Sequence, residues 1–224
     1  MTAAQTCDLM TIGHSNLPAD RFITLLRDSK VSAIIDVRSV PFSRWCPWFS
    51  SKPLATRLAA EGLAYLQLGD ELGGRPRDPQ LYCDDIADYE AMARRPEFCA
   101  GLDRVIDETR RHRVCLLCSE REPLDCHRCL LVGRALAERG VTPGHIRADG
   151  TIEPHAMTEQ RLLKLAGGEA DLFGDPAARL ADAYQQRARR VAARRRYDAA
   201  TVILYRYRSP TTLRSCAAAF RLTG

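Results

Sequence analysis

The chain has 224 residues, 46% of them hydrophobic and 27% charged, an ordinary globular make-up long enough for one full core. No apolar run reaches the roughly 18 to 20 residues of a membrane span, and MTAAQTCDLMTIGHS lacks a basic stretch followed by an apolar one, so a cytoplasmic protein with no membrane partner is expected. The net charge of +5 is unevenly held: residues 179–224 carry eleven arginines against two aspartates, so the basic character belongs to the C-terminal end.

In chain order, LMTIG (9–13) is a short apolar run ending in glycine and reads as a strand. Phe22, Leu25 and Leu26 recur at helical spacing within 18–29, and Pro18 suits a first turn. SAIIDV (32–37) predicts a second strand, 53–61 a short helix and AYLQL (64–68) a third strand. GDELGGRPRDPQLY (69–82) reads as a Gly- and Pro-rich loop. Helices are expected over 85–94 and 96–111, the second opened by Pro96. VCLLC (114–118) is the clearest strand; 124–139 predicts a helix stopped by Gly140, and HIRA (145–148) a fifth strand. Strands alternating with helices of this length imply βαβ units. The expected fold is α/β: an open, mostly parallel sheet of about five strands flanked by helices, Rossmann-like and three-layered. This domain is assigned to 1–168, and 169–224 reads as an Arg-rich helical extension with an exposed helix over 176–196. The sequence leaves the order of 199–224 open.

Ligands of open parallel sheets bind beyond the C-terminal ends of the strands. His14-Ser15 follow the first strand, Asp36 and Arg38 end the second, and Gly74-Arg75 lie in the loop after the third. Cys118 and Glu120 follow the fourth, with Cys126-His127-Arg128 at the next helix start. Unpaired N–H groups and the dipole of a helix start favour a thiolate at Cys126, and a strand–loop–helix turn can bring Cys118 to it. Arg38, Arg75 and Arg128 suit a bidentate anion, and the Gly73-Gly74 pair lets backbone approach a ligand. His14 is read as an acid–base group or a loop histidine, Ser15 as a substrate contact or a helix cap, and Asp36 as a base or an ion-pair partner.

Nine cysteines, an odd and scattered set, do not make a disulfide framework in such a chain. Cys7, Cys83, Cys99 and Cys216 read as small buried hydrophobes. Cys115-x-x-Cys118 with Cys126-x-x-Cys129 suggests four-cysteine zinc, yet residues 115 and 118 face opposite sides of a strand and no glycine knuckle is present. Trp45, Trp48 and Phe49, with Arg44 among them, form either a base-stacking surface or a small hydrophobic lid. RARRVAARRR (187–196) is a polyanion-binding run or a solvated helix face.

TIGHS (11–15), DVRSVPFSRW (36–45), LGGRP (72–76) and LLCSEREPLDCHR (116–128) resemble the domain-of-unknown-function family 488 over about residues 11 to 160, with DLFGD (171–175) also similar. The resemblance implies an α/β domain and flags His14, Asp36, Arg38, Gly74, Arg75, Cys118, Glu120, Pro123, Cys126, His127 and Arg128. It names a domain without naming a reaction. Cys115 and Cys129 fall outside its motifs. The strand ending in IDVR is also similar to one in rhodanese sulfurtransferases, whose Cys-bearing active-site loop is missing here.

Three functional readings follow. The first is an enzyme that cleaves a glycosidic or phosphoester bond in a phosphate-bearing nucleotide or nucleic acid by hydrolytic or nucleophilic chemistry. His14, Asp36, Cys118, Glu120, Cys126 and His127 are its catalytic groups, and Ser15, Arg38, Gly74, Arg75 and Arg128 its substrate contacts. It calls for no cofactor, and replacing Arg128 or Asp36 is expected to abolish turnover while leaving the melting temperature nearly unchanged. The second is a thiol-redox or metal site of Cys118, Cys126 and a histidine. The third is a non-catalytic nucleic-acid-binding module acting through the arginine tail. No oligomeric state follows from the sequence.

Overall fold

The computed structural model describes residues 7–167 and 175–195. β1 (Leu9–Gly13) leads through α1 (Ala19–Asp28) to β2 (Ala33–Asp36), and α2 (Ser51–Ala60) leads on to β3 (Ala64–Gln67). A short helix, α3 (Gly69–Leu72), precedes the ribbon strands β4 (Tyr82–Cys83) and β5 (Ile86–Ala87), then α4 (Tyr89–Ala93) and α5 (Pro96–Thr109). After β6 (Val114–Cys118) come a 3-10 turn, Pro123–Asp125, and a π-helical stretch, Arg128–Gly133, that continues as α6 (Arg134–Glu138). β7 (Pro143–Ile146), β8 (Ile152–Pro154), α7 (His155–Leu165) and α8 (Pro176–Val191) complete the described chain.

The main sheet runs β3-β2-β6-β1-β7-β8, with only β8 antiparallel. The fold is the expected α/β sandwich of helices around a mostly parallel sheet. Its apolar, β-branched strands read as continuous runs because helices cover both faces. β6 alternates: Val114, Leu116 and Cys118 pack with α5 (Phe98, Leu102, Val105), α7 (Leu162) and Leu130, Leu131 and Leu136. Cys115 and Leu117 face the other way, toward Phe22, Leu25 and Leu26 of α1 and Leu54 and Leu58 of α2. The chain therefore leaves neighbouring strands β1 and β6 toward opposite faces. Just beyond their C-terminal ends the two loops still pair, with the His14 and Ser15 N–H groups donating to the Cys118 and Ser119 carbonyls, before the chain diverges.

Several expected elements change. The sheet has six strands, because Asp149-Gly150 turns the chain back into β8; Gly150 sits at φ 97° and its N–H donates to the Arg147 carbonyl. The helix expected over 85–94 begins only at Tyr89, capped by Asp88, whose carboxylate accepts from the Ala91 N–H. Before it, Asp84 and Asp85 take positive φ and turn β4 into β5. The 69–82 loop contains α3 and β4. The helix expected over 124–139 is broken at Cys126, which is extended (φ −137°, ψ 137°); its carbonyl accepts the Cys129 and Leu130 N–H groups, so the continuous helical run starts after it. The helix expected over 176–196 ends at Val191, and residue 194 instead bridges to Ile86 beside the ribbon. That helix is not fully exposed: Ala183 and Tyr184 are buried in the core. α7 was not foreseen. Cys7 is buried, whereas Cys83 and Cys99 are only half-buried, and no disulfide joins any two of the eight described cysteines. Cys216, the segment 199–224 and Arg196 lie outside the described residues. Among the described residues, no helix is long and apolar enough to cross a membrane.

Candidate functional site

The expected site residues meet at one sheet edge but divide into two groups. The first lies on the α1–α2 side. Arg38 clamps Asp36, with Nε 2.8 Å from Oδ1 and an Nη 2.5 Å from Oδ2, and both side chains are buried. Tyr65, on β3, donates its hydroxyl to Asp36 Oδ2 at 2.7 Å. The remaining Nη of Arg38 faces His14 Nε2 at 3.1 Å, and His14 Nδ1 lies 2.9 Å from the Ser15 carbonyl. Arginine only donates and a carbonyl only accepts, so the proton sits on Nδ1 and His14 is neutral. Burial and then the Arg38 charge push its pKa down to about 4. Its ring stacks on Phe49 at 4.3 Å. Ser15 neither caps α1 nor lines a cavity; its carbonyl serves His14.

The second group lies across the sheet edge, on the α5–α6 side. Cys118 Sγ and Cys126 Sγ stand 3.0 and 3.1 Å from the same oxygen, Glu120 Oε2. His127 Nδ1 is 3.5 Å from Cys118 Sγ, while its Nε2–H donates to the Val37 carbonyl at 2.9 Å. Cys118, Cys126 and His127 are buried; Glu120 is exposed. Burial alone raises both thiols. Cys126 is nevertheless held well below the usual thiol range by the Cys118 thiol, the Arg128 charge and His127. Cys118 is pushed up by burial and by the Cys126 beside it. The imidazole of His127 is raised: burial opposes its charge, and its contact with Cys126 overcomes that.

A cleft of about 350 Å³ opens onto this second group. Cys118, Ser119, Glu120 and His127 line it with Arg38, Ser39, Phe42, Gly74, Arg75 and Tyr89. Arg75 is exposed, and among the described residues no carboxylate pairs with it; its backbone N–H is fixed by Ser39 Oγ at 2.9 Å. Gly74 lines the cleft and also makes room inside the protein, because a Cβ there would meet the His127 ring at 2.6 Å. Asp36, His14 and Cys126 do not line the cleft.

Arg128 does not join an anion clamp. It is fully buried; its guanidinium donates to the Glu120 and Arg121 carbonyls at 2.5 and 3.0 Å and to Thr11 Oγ1 at 3.3 Å, shaping the turn that carries Glu120. A Cβ at Gly13 would collide with that turn. Asp36 and Arg128 are both buried charges held by partners inside the fold, so replacing either is expected to lower the melting temperature and not leave it nearly unchanged. Of the aromatic trio, Phe49 is core, Trp48 donates its indole N–H to the Leu17 carbonyl, and Trp45 stands exposed with Arg44 over its ring at 5.0 Å; outside the trio, the exposed Phe42 lines the cleft. Arg187 of the basic run is paired with Asp125.

The model of the family described as "Domain of unknown function DUF488" matches residues 18–135. The chain belongs to this family. The matched segment holds the Asp36–Arg38 pair, Arg75 and all of the Cys118–His127 group, while His14 and Ser15 precede it. No curated protein and no solved structure gives a match.

Two groups of side chains have the composition of metal ligands. The donor atoms of Cys118, Glu120, Cys126 and His127 lie within 4.8 Å of one another, and so do those of Cys129, His145 and His155. Sequence reasoning missed the second, along with Tyr65 and Tyr184, because single residues on strands and helices carry no local signal of a buried polar contact. In it Thr11 Oγ1 meets His145 Nδ1 at 2.8 Å, His145 Nε2 meets His155 Nδ1 at 3.0 Å, and His155 Nε2 meets the Tyr184 hydroxyl at 3.0 Å.

Proposed function

We propose that this chain is an enzyme that cleaves a bond of a phosphate-bearing substrate, a nucleotide or a nucleic acid, in the cleft beside β6. The observation that carries the reading is one wall of that cleft: Cys118, Glu120 and His127 stand together on it, and Arg75 faces the same space with no ion-pair partner among the described residues. A guanidinium left free at a cleft mouth suits a phosphate, which it binds in two-pronged fashion. The exposed Phe42 in the cleft lining suits the face of a base. Glu120 is exposed within reach of the buried thiols, so it is the group placed to move a proton between substrate and protein. Asp36, His14 and Tyr65 act at one remove, holding Arg38 in the cleft wall.

The test is a panel of ribonucleotides, deoxynucleotides and short single-stranded oligonucleotides, with products read by mass spectrometry. Wild-type chain converts at least one member. Glu120→Gln and Cys118→Ala lose turnover with little change in melting temperature, and Arg75→Ala raises KM. Equal turnover by Cys118→Ala, or binding of every panel member unaffected by Arg75→Ala, overturns the reading.

A further inference from the structure

We infer that Cys118, Cys126, His127 and Glu120 hold one zinc ion at the floor of the cleft. The inference deepens the enzymatic reading of that cleft, with the ion as its Lewis acid. The four-cysteine pattern legible in the sequence cannot supply such a site: Cys115 points into the opposite layer from Cys118, and the Cys129 sulfur gathers with His145 and His155 and not with the Cys118 group. The fold builds a different set.

Three observations converge. The first is spacing. Tetrahedral zinc, with Zn–S near ~2.3 Å and Zn–N near ~2.0 Å, sets its ligands about 3.3–3.8 Å apart. Here the sulfur–carboxylate distances are 3.0 and 3.1 Å and the sulfur–imidazole distance is 3.5 Å, with every pair inside 4.8 Å. The second is the orientation of His127. Its Nε2–H is fixed on the Val37 carbonyl, which leaves the Nδ1 lone pair aimed at the sulfurs; a metal-bound histidine is held in this way by its outer nitrogen. The third is charge. Arg128 is fully buried, donates to two carbonyls and a hydroxyl and lies against the Cys126 sulfur, with no carboxylate in ion-pair range among the described residues. Two thiolates, a carboxylate and Zn²⁺ sum to one negative charge, and Arg128 beneath them balances it. Two sulfurs with one imidazole select a borderline-soft, tetrahedral ion, so zinc is the class and not magnesium or calcium.

The Cys129–His145–His155 group does not compete. It offers three donors, all of them buried, where the Cys118 group has a fourth that is exposed. In the Cys118 group the three buried ligands make a closed base, and the fourth, Glu120, is exposed on the cleft side. Substrate or water entering the cleft would displace Glu120, the open-position arrangement that a catalytic zinc needs. Loading the ion releases the thiol protons to solvent.

The experiment reads the ion and not turnover. Untagged full-length chain, purified under reducing conditions, is analysed for zinc, then stripped and titrated with Co²⁺. One equivalent of metal is expected, with a sulfur-to-cobalt charge-transfer band and the intense visible bands of a tetrahedral site. Cys118→Ser and Cys126→Ser each weaken the charge-transfer band, Glu120→Gln keeps it but shifts the visible bands, and Cys129→Ala leaves the spectrum unchanged. Circular dichroism of the stripped variants separates ligand loss from misfolding, and the wild-type spectrum decides the matter if a variant does not fold. Wild-type chain that takes up neither zinc nor cobalt with its thiols reduced overturns the inference, as does a spectrum abolished by Cys129→Ala. Recovery of Cys118 and Cys126 as a reversible disulfide without metal also overturns it. If metal is absent but Glu120→Gln and Arg75→Ala still impair turnover, the enzymatic reading survives without the ion.

Discussion

The two polar groups at the edge of β6 and β2 are a few residues apart in the fold and opposite in character. In the Asp36–Arg38–His14–Tyr65 group every strong donor meets an acceptor: the carboxylate takes Arg38 and Tyr65, and the imidazole is held at both nitrogens. In the Cys118–Glu120–Cys126–His127 group two thiols converge on one carboxylate oxygen, an imidazole nitrogen faces sulfur, and the carboxylate is exposed. The first is saturated and largely buried, reaching the cleft only through Arg38, which stabilises a fold. The second has unspent valence opening on a cleft, which is what chemistry requires. Both are made of residue types that look catalytic in a sequence, so residue type does not separate them; saturation does.

The sharpest way to break this contrast is Asp36→Ala, which leaves Arg38 buried without its partner and should cost about 3–5 kcal/mol, read by denaturant unfolding. An unchanged midpoint there sinks the division of roles. Next in size, Cys118→Ala should reduce turnover about a hundredfold or more while moving stability far less than Asp36→Ala does. Arg75→Ala removes charge-assisted bonds of about 1.5–3 kcal/mol and should raise KM about tenfold to a hundredfold with kcat little changed. A smaller effect is expected from pH. The pKa values of His14 and His155 are both lowered by burial to about 4. Between that value and the unfolded pKa of about 6.5 the unfolded chain binds more protons. The stability these neutral histidines contribute is therefore complete above about pH 6.5 and is lost on acidification toward pH 4, with a slope of up to about 1.4 kcal/mol per pH unit for each. His155→Gln should flatten that slope, and a profile identical to wild type would contradict the buried neutral imidazole. Smallest of all, Trp45→Ala should change stability by less than about 0.5 kcal/mol, since the ring is 82% exposed, and should register only in binding of a nucleotide.

The strands were legible because a parallel sheet buried on both faces must be written as apolar runs. SAIIDV and VCLLC could hardly be anything else in a chain of this composition. The convergence of Asp36, Arg38, Cys118 and Glu120 on one edge followed from their places at strand ends. The short elements were not legible. The Asp84-Asp85 turn, the break of helix at Cys126 and the hairpin into β8 each depend on one or two backbone angles that tertiary contacts enforce. The basic tail read as a separate appendage, yet Tyr184 of α8 is buried against His155, because a helix with one small apolar stripe finds its partner only in three dimensions.

By itself, the sequence determined the α/β class, the places of the main parallel strands along the chain and the set of reactive side chains at their tips, because periodicity and strand-end position are local properties. Only the tertiary structure decided what each of those side chains is for. It turned Arg128 from a ligand clamp into the buried support of a turn and gave Gly74, in the cleft lining, the second task of making room for His127. It also replaced the four-cysteine pattern with a Cys–Glu–Cys–His group, because burial, partner and facing are set by which layer a residue enters, and that is decided by packing far along the chain.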